Sequence, residues 1–150
     1  MAPVLIASGG FLLAVLWMDL LFDVQARRLR AEDPAAAALA SIATYYRRVT
    51  TDAAPMNRLI GAVMLVQLAG IAHELLTGAV VGRRAAAVLV LGVTPIGLAI
   101  LRIFPDAVRL GGAADTAAVR VRLARRIYYG HLACFVAIAV FTALQIQLVR

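Results

Sequence analysis

LIASGGFLLAVLWMDLLFDV, residues 5–24, contains no basic side chain and only two acidic ones, Asp19 and Asp23. A helix rises ~1.5 Å per residue, so ~20 apolar residues cross the ~30 Å hydrocarbon core of a bilayer. A carboxylate on such a helix costs ~2.5–3.5 kcal/mol at mid-depth and normally faces protein or water. The stretch therefore predicts a transmembrane helix and marks Asp19 and Asp23 as candidate functional residues.

The composition extends this conclusion to the whole chain, which has 150 residues, of which 63% are hydrophobic and 15% charged, with mean hydropathy +0.90. A soluble domain of this length could not bury so much apolar surface, so one membrane domain over residues 1–150 is expected. All 15 basic residues are arginine, and they lie at the ends of apolar segments. That pattern indicates contact with lipid headgroups. We expect the lipid bilayer as a partner and no nucleic acid.

Four apolar stretches reach spanning length: 4–24, 58–81, 85–104 and 127–148. Since no water satisfies the backbone inside a bilayer, each stretch must form a helix. The predicted fold class is therefore all-α, an integral membrane four-helix bundle. The first stretch has no basic residue before it, which favours a retained span over a cleaved signal peptide.

The arginines also predict an orientation. Six lie between residues 27 and 58 and six between residues 102 and 126, whereas the connection between the second and third spans holds two. The positive-inside rule then places both long connections in the cytoplasm and both termini outside. We expect a multi-pass protein of a bacterial inner (plasma) membrane.

The first long connection contains a further helical pattern. Asp33 and Pro34 resemble a helix N-cap followed by proline at the first helical position. The sequence AAAALASIATYYRRV follows. Apolar side chains recur at three- and four-residue spacing, which indicates an amphipathic helix at the membrane surface with Tyr45 and Tyr46 as interfacial anchors. The residues of the apolar face are Leu39, Ile42, Tyr46 and Val49.

One candidate site lies in the cytoplasmic half of the bundle. Asp19 and Asp23 are four residues apart and share a helix face near the inner end of the first span. The fourth span begins on that side, which brings Tyr128 and His131 to the same depth, and Arg102 ends the third span there. We expect Asp19 and His131 to be an acid–base pair, with Tyr128 as hydrogen-bond donor and Asp23 as a ligand-binding residue. Arg102 would neutralise the carboxylates, and an ion pair of purely structural value is the alternative.

A second polar group is predicted in the outer half. Gln67 and Glu74 are seven residues apart and lie on one face of the second span, whereas His73 points about 120° away. Gln67 and Glu74 are candidate ligand-binding residues. The depth difference between His73 and Asp19 is ~15 Å at ~1.5 Å per residue, so one metal ion cannot join the two groups. Haem ligation by His73 and His131 fails for the same reason, and no metal site is expected.

The sequence contains none of the common catalytic or cofactor motifs. GxSxG, a P-loop, HExxH and CxxC are all missing, and Cys134 is the single cysteine. A single cysteine excludes an internal disulfide and a cysteine-cluster metal site. No cofactor is therefore indicated by a motif.

Three function classes fit this pattern. The leading hypothesis is a membrane protein that binds or transforms a small hydrophobic molecule at the cytoplasmic-side polar site. The first alternative is a proton-coupled transporter acting as a homodimer, because small multidrug antiporters also carry a carboxylate in the first span. The second alternative is a non-catalytic subunit of a membrane complex, in which the polar residues serve packing.

Two segments also resemble a known group of proteins. RLARRIYYGHLACFVAIA is a basic segment leading into a last span with an early histidine, His131, and TYYRRVTTDAAPMNRLIGAVML leads into the second span. Both resemble bacterial four-helix membrane proteins of the anthrone-oxygenase-like group, over about the last three helices. The resemblance implies a small membrane protein that handles an aromatic or lipid-like substrate, with His131 as the residue carried over.

Overall fold

The computed structural model describes residues 1–30 and 36–149, and the described chain is all-α. Helix α1 spans Ala2–Asp23 and continues into a 3-10 turn, Val24–Arg28. Helix α2 spans Ala36–Arg47 and is followed by a π-helical turn, Arg48–Asp52. The remaining helices are α3, Ala54–Leu76; α4, Gly82–Leu98; α5, Phe104–Gly112; and α6, Ala117–Val149. A second π-helical turn, Ala99–Ile103, joins α4 to α5.

Four helical segments are long and apolar enough to cross a membrane: Ala2–Arg28, Pro55–Leu76, Gly82–Gly112 and Ala117–Leu148. The prediction of four spanning helices is confirmed. The helix ends differ from the predicted span ends, because α6 begins at residue 117 and not at 127, and α3 ends at Leu76 and not at residue 81. Its first turns carry arginine, which is a good helix former, and bury Val121 and Ala124 against the bundle. Hydropathy therefore located the spans but not the helix ends.

The bundle is organised around the pair α1 and α6. These two helices make the most extensive contact, α3 packs on α1, and α4 packs on α6 and α3. Near the turn that joins α3 to α4, hereafter the hairpin end, the core is formed by Leu5, Ile71, Val88 and Phe141. In a bilayer this packing depends on close van der Waals contact between the helices, because the lipid tails are as apolar as the side chains and supply no hydrophobic driving force.

At the opposite end of the bundle, hereafter the α2 end, α2 lies against α5. The buried face of α2 consists of Leu39, Ile42, Ala43 and Tyr46, which are at most 4% exposed. Leu39, Ile42 and Tyr46 of the predicted apolar face are therefore buried, whereas Val49 is half-buried in the turn that follows the helix. The predicted start signal at Asp33 and Pro34 lies outside the described residues.

Gly111 fixes the distance between α5 and α2. A Cβ at this position would lie 2.8 Å from the backbone N of Arg47, closer than real Cβ contacts. Both contacting groups belong to helix backbone, so neither can rotate away as a flexible side chain can. The adjacent Gly112 is exposed, and a Cβ there would meet no atom within 4 Å.

Gly111→Ala should therefore lower the free energy of unfolding by about 1–3 kcal/mol, the usual cost of overpacking. Gly112→Ala is the matched control and should be neutral or slightly stabilising, since alanine is the better helix former. The measurement is SDS-induced unfolding of both variants in mixed micelles. Equal stability of the two variants would show that α2 is not held against α5 as described.

Candidate functional site

The site is built on His131, which lies between the two carboxylates of α1. Its Nδ1 is 2.7 Å from Oδ2 of Asp23, and its Nε2 is 3.7 Å from Oδ2 of Asp19. The one-turn spacing of the aspartates sets this arrangement, because it places their side chains on one helix face, which α6 covers. His131 is 6% exposed and Asp23 is fully buried. The structure thus brings together three of the residues that the sequence singled out.

Two tyrosines of α2 complete the cluster. The hydroxyl of Tyr45 donates to Oδ1 of Asp19 at 2.6 Å, and the hydroxyl of Tyr46 donates to Oδ1 of Asp23 at 2.5 Å. Burial, and then the nearby aspartate charges, raise the pKa of both phenols above the ordinary value of 10.0. Both tyrosines therefore remain protonated hydrogen-bond donors at physiological pH.

The hydrogen bonds of Asp23 fix the tautomer of His131. A carboxylate oxygen accepts hydrogen bonds, so Nδ1 of His131 is the donor across the 2.7 Å contact with Asp23. In the neutral ring the other nitrogen, Nε2, then carries the free lone pair. This nitrogen faces Oδ2 of Asp19, whereas the other carboxylate oxygen, Oδ1, accepts the hydrogen bond from Tyr45.

A cavity of about 520 Å³ adjoins the cluster. Asp19, Tyr45, Tyr46 and His131 lie in its wall, whereas Asp23 is behind His131 and does not line it. The rest of the wall is almost entirely apolar and is contributed by α1, α3, α4, α5 and α6. Representative residues are Leu12, Leu16, Met64, Ile96, Phe104 and Ile138. An apolar cavity with a few convergent polar groups is the usual form of a small-molecule site.

Two residues predicted for this site lie elsewhere. Arg102 is exposed on the turn between α4 and α5, and in residues 1–30 and 36–149 it forms no ion pair with Asp19 or Asp23. Tyr128 is buried in the core at the α2 end and stacks edge-on against Tyr129. Neither residue lines the cavity. The physical reason is that equal depth along the membrane normal does not fix the rotation of each helix about its own axis. Two residues at the same depth can therefore point in different directions.

The outer polar residues form two buried hydrogen-bonded groups near the hairpin end. Gln67 lies beside Ser8 and donates to the carbonyl of Gly92 at 3.4 Å. Glu74, which is 4% exposed, accepts a 3.0 Å hydrogen bond from Nε2 of Gln145. Gln67 and Glu74 thus face the bundle interior as predicted, but they do not line the cavity.

His73 is exposed, in agreement with its predicted direction away from Gln67. Within the described part of the chain, no group of three or more His, Cys, Asp or Glu side chains has the arrangement of a metal site. Both ring nitrogens of His131 face carboxylates: Nδ1 is 2.7 Å from Asp23, and Nε2 is 3.7 Å from Asp19.

The roles of Tyr45 and Tyr46 were missed by sequence analysis, which assigned them as interfacial anchors. A signal was present for Tyr46, because it occupies the apolar face of α2 together with Leu39 and Ile42. A tyrosine on a buried face needs a partner for its hydroxyl, and the nearest unsatisfied acceptors were the aspartates of α1. Tyr45 carried no comparable signal.

No protein-family model, curated protein or solved structure matches this chain. The geometry of the site is therefore the basis for inferring its function.

Tyr46→Phe should lower the free energy of unfolding by about 1.5–3 kcal/mol, because it removes a hydrogen bond to a carboxylate that is fully buried. Tyr129→Phe is the control, since Tyr129 is 56% exposed and should change stability little. SDS unfolding in mixed micelles measures both. An unchanged free energy of unfolding in Tyr46→Phe would mean that the hydrogen bond from Tyr46 to Asp23 does not stabilise the protein.

Proposed function

We propose that this small integral membrane protein binds a small hydrophobic molecule and transfers a proton to or from its polar group. The observation that carries the proposal is the position of Asp19 and His131 in the wall of a 520 Å³ apolar cavity. Buried titratable groups beside an apolar cavity are typical of binding and catalytic sites. The apolar cavity supplies affinity for the apolar part of the ligand, and the titratable residues supply a proton acceptor for its polar group.

The chemistry follows from the two atoms that face the cavity. Nε2 of His131 and Oδ2 of Asp19 are 3.7 Å apart, too far for a hydrogen bond to each other. One ligand oxygen can lie ~2.8 Å from both, within ordinary hydrogen-bonding distance. Both atoms are acceptors in the tautomer described, so the preferred ligand presents a donor, such as an alcohol or phenol hydroxyl, whose single proton is shared between the two acceptors as a bifurcated hydrogen bond.

The remaining polar residues hold this pair in place. Asp23 orients the ring of His131 through Nδ1, as the carboxylate of a catalytic triad orients its histidine. Tyr45 fixes Asp19 through Oδ1 and leaves Oδ2 to face Nε2 of His131. Asp19 and His131 keep the acid–base roles predicted from sequence, and Asp23 becomes a positioning residue. The tyrosines of α2 take the hydrogen-bonding role expected of Tyr128.

The resemblance to the anthrone-oxygenase-like group agrees with this proposal. That group implies an aromatic or lipid-like substrate and His131 as the functional residue. A phenolic aromatic molecule has the donor hydroxyl and the apolar body that the cavity accommodates. The resemblance thereby favours aromatic alcohols and phenols among the first ligands to test.

The proposal includes an orientation in the inner membrane. Arginine is concentrated at the α2 end, which supports placing that end, and the site near it, on the cytoplasmic side. Both termini then lie outside. Helix α2 lies at the cytoplasmic interface, with its apolar face on the bundle and its exposed arginines, Arg47 and Arg48, toward the headgroups.

Cysteine labelling tests the orientation. Thr77→Cys in the α3–α4 turn and Thr116→Cys before α6 are both at exposed positions, and a Cys134→Ala background removes the native thiol. A membrane-impermeant maleimide added to intact cells should label Cys at position 77 and should label position 116 only after lysis. The reverse pattern would show that the α2 end faces outward.

Native mass spectrometry tests ligand binding. Protein purified in mild detergent should carry an additional small-molecule mass that is absent from Asp19→Asn and His131→Ala, because each variant removes an acceptor from the cavity wall. Glu74→Gln is the matched control, since it alters a buried carboxyl group that does not line the cavity. The bound mass should persist in that variant.

Bare protein in every sample, or a bound mass that all three variants retain, would contradict the proposal. Loss of the mass from Glu74→Gln as well would indicate general loosening of the bundle in place of a specific site.

A further inference from the structure

The cavity is open on one side, between α3 and the helix that continues from α4 into α5. The short turn at the hairpin end holds α3 and α4 together, and the two helices pack on each other. Among the described residues, however, no Cα of α3 lies within 8 Å of the Ala99–Ile103 turn or of α5. The two walls therefore diverge toward the α2 end and leave a gap, hereafter the portal.

The portal is lined by side chains that also form the cavity wall. Ile60 and Gly61 are adjacent on α3 and Met64 follows one turn later, whereas Ile100 and Phe104 face the cavity from the other wall. Ile100 is 56% exposed and Phe104 is 50% exposed. Because the same residues belong to the cavity and to the outer surface of the helices, the apolar lining is continuous with the surface that faces lipid.

The α2 end of the cavity is covered, in contrast to the side. Tyr45, Tyr46 and Val49 lie in its wall at this end. The turn after α2, Arg48–Asp52, packs against α5 and connects this cover to it. A ligand arriving from the aqueous phase would have to displace these contacts, whereas a ligand dissolved in the bilayer meets an open apolar gap.

We infer that the ligand reaches the site laterally from the bilayer, and that it is an amphiphile with a hydroxyl head group and a hydrocarbon tail. This inference rests on the proposed function and adds the route and the ligand class. The hydroxyl lies between His131 and Asp19, and the tail lies in the portal along Gly61 and Phe104. The ligand is thus a long-chain or polycyclic lipid alcohol or phenol.

The depth of the site fits this ligand class. Asp19 and His131 lie in the half of the bundle nearest α2, and Arg58 and Arg102 are exposed at the same end on the two walls of the portal. Arginines at helix ends mark the level of the lipid headgroups. The hydroxyl of a membrane-dissolved alcohol already lies near that level, so it reaches the acceptors without crossing the apolar middle of the bilayer.

Photolabelling in proteoliposomes tests the portal. The long probe is a hexadecanol with a diazirine in its chain, and the short probe is a diazirine-bearing benzyl alcohol, which has the same head group and no tail. In the unmodified protein the long probe should label portal residues of α3 and α5. Labelling confined to lipid-facing positions such as Leu65 and Val66 would overturn the inference.

A glycine pair supplies the matched variants. A Cβ at Gly61 or at Gly10 meets no atom within 4 Å, so both sites have space for a larger side chain. Gly61 lines the cavity, whereas Gly10 lies on the exposed side of α1. Gly61→Trp should reduce labelling of the portal by the long probe about tenfold, a loss of ~1.4 kcal/mol of affinity. Gly10→Trp should leave it unchanged.

The short probe separates failure of the portal from failure of the site. If it labels the cavity in wild type but not in Asp19→Asn, while Gly61→Trp leaves the long probe unaffected, lateral access is wrong and the proposed function stands. If the short probe labels wild type and Asp19→Asn equally, the proposed function itself fails. The map of labelled residues in the unmodified protein decides the inference even if Gly61→Trp does not fold.

Discussion

The burial of two carboxyl groups in an apolar helix is the constraint on which this structure depends. Asp19 and Asp23 are acceptable within α1 only because α6 and α2 supply donors to them. His131 donates to Asp23, and each carboxylate accepts a hydrogen bond from its own tyrosine. Without these partners, each aspartate would carry the full cost of a polar group in hydrocarbon. The polar cluster therefore joins three helices that apolar packing alone would align only loosely.

The same constraint explains why α2 is part of the site. An amphipathic helix at a membrane surface needs only to place its apolar face toward the bilayer. Here that face lies on the bundle, because Tyr46 reaches Asp23 and Gly111 allows the backbones of α5 and α2 to approach closely. The helix thus covers the α2 end of the cavity and leaves the side toward α3 open. The same arrangement therefore sets the packing of α2 and, under the proposed function, the route of the ligand.

Polar groups occur at two levels along α6, and the two levels differ in character. Near the hairpin end, Nε2 of Gln145 donates to Glu74, and neither residue lines the cavity. Nearer α2, Nε2 of His131 and Oδ2 of Asp19 are 3.7 Å apart, and both residues line an apolar cavity. Contact with the cavity thus distinguishes the candidate site from the group near the hairpin end, although both contain a buried carboxyl group.

The sequence by itself determined the membrane setting, the four spans, the shared helix face of Gln67 and Glu74, and the meeting of Asp19, Asp23 and His131. These follow from hydropathy, helical periodicity and depth, which are local properties of the chain. Only the tertiary structure decided that Asp23 lies behind His131 while Asp19 faces the cavity, that Tyr45 and Tyr46 are donors, and that Arg102 and Tyr128 lie outside the site. The rotation of each helix and the distance between helices depend on packing between distant segments, and no local pattern in the chain encodes them.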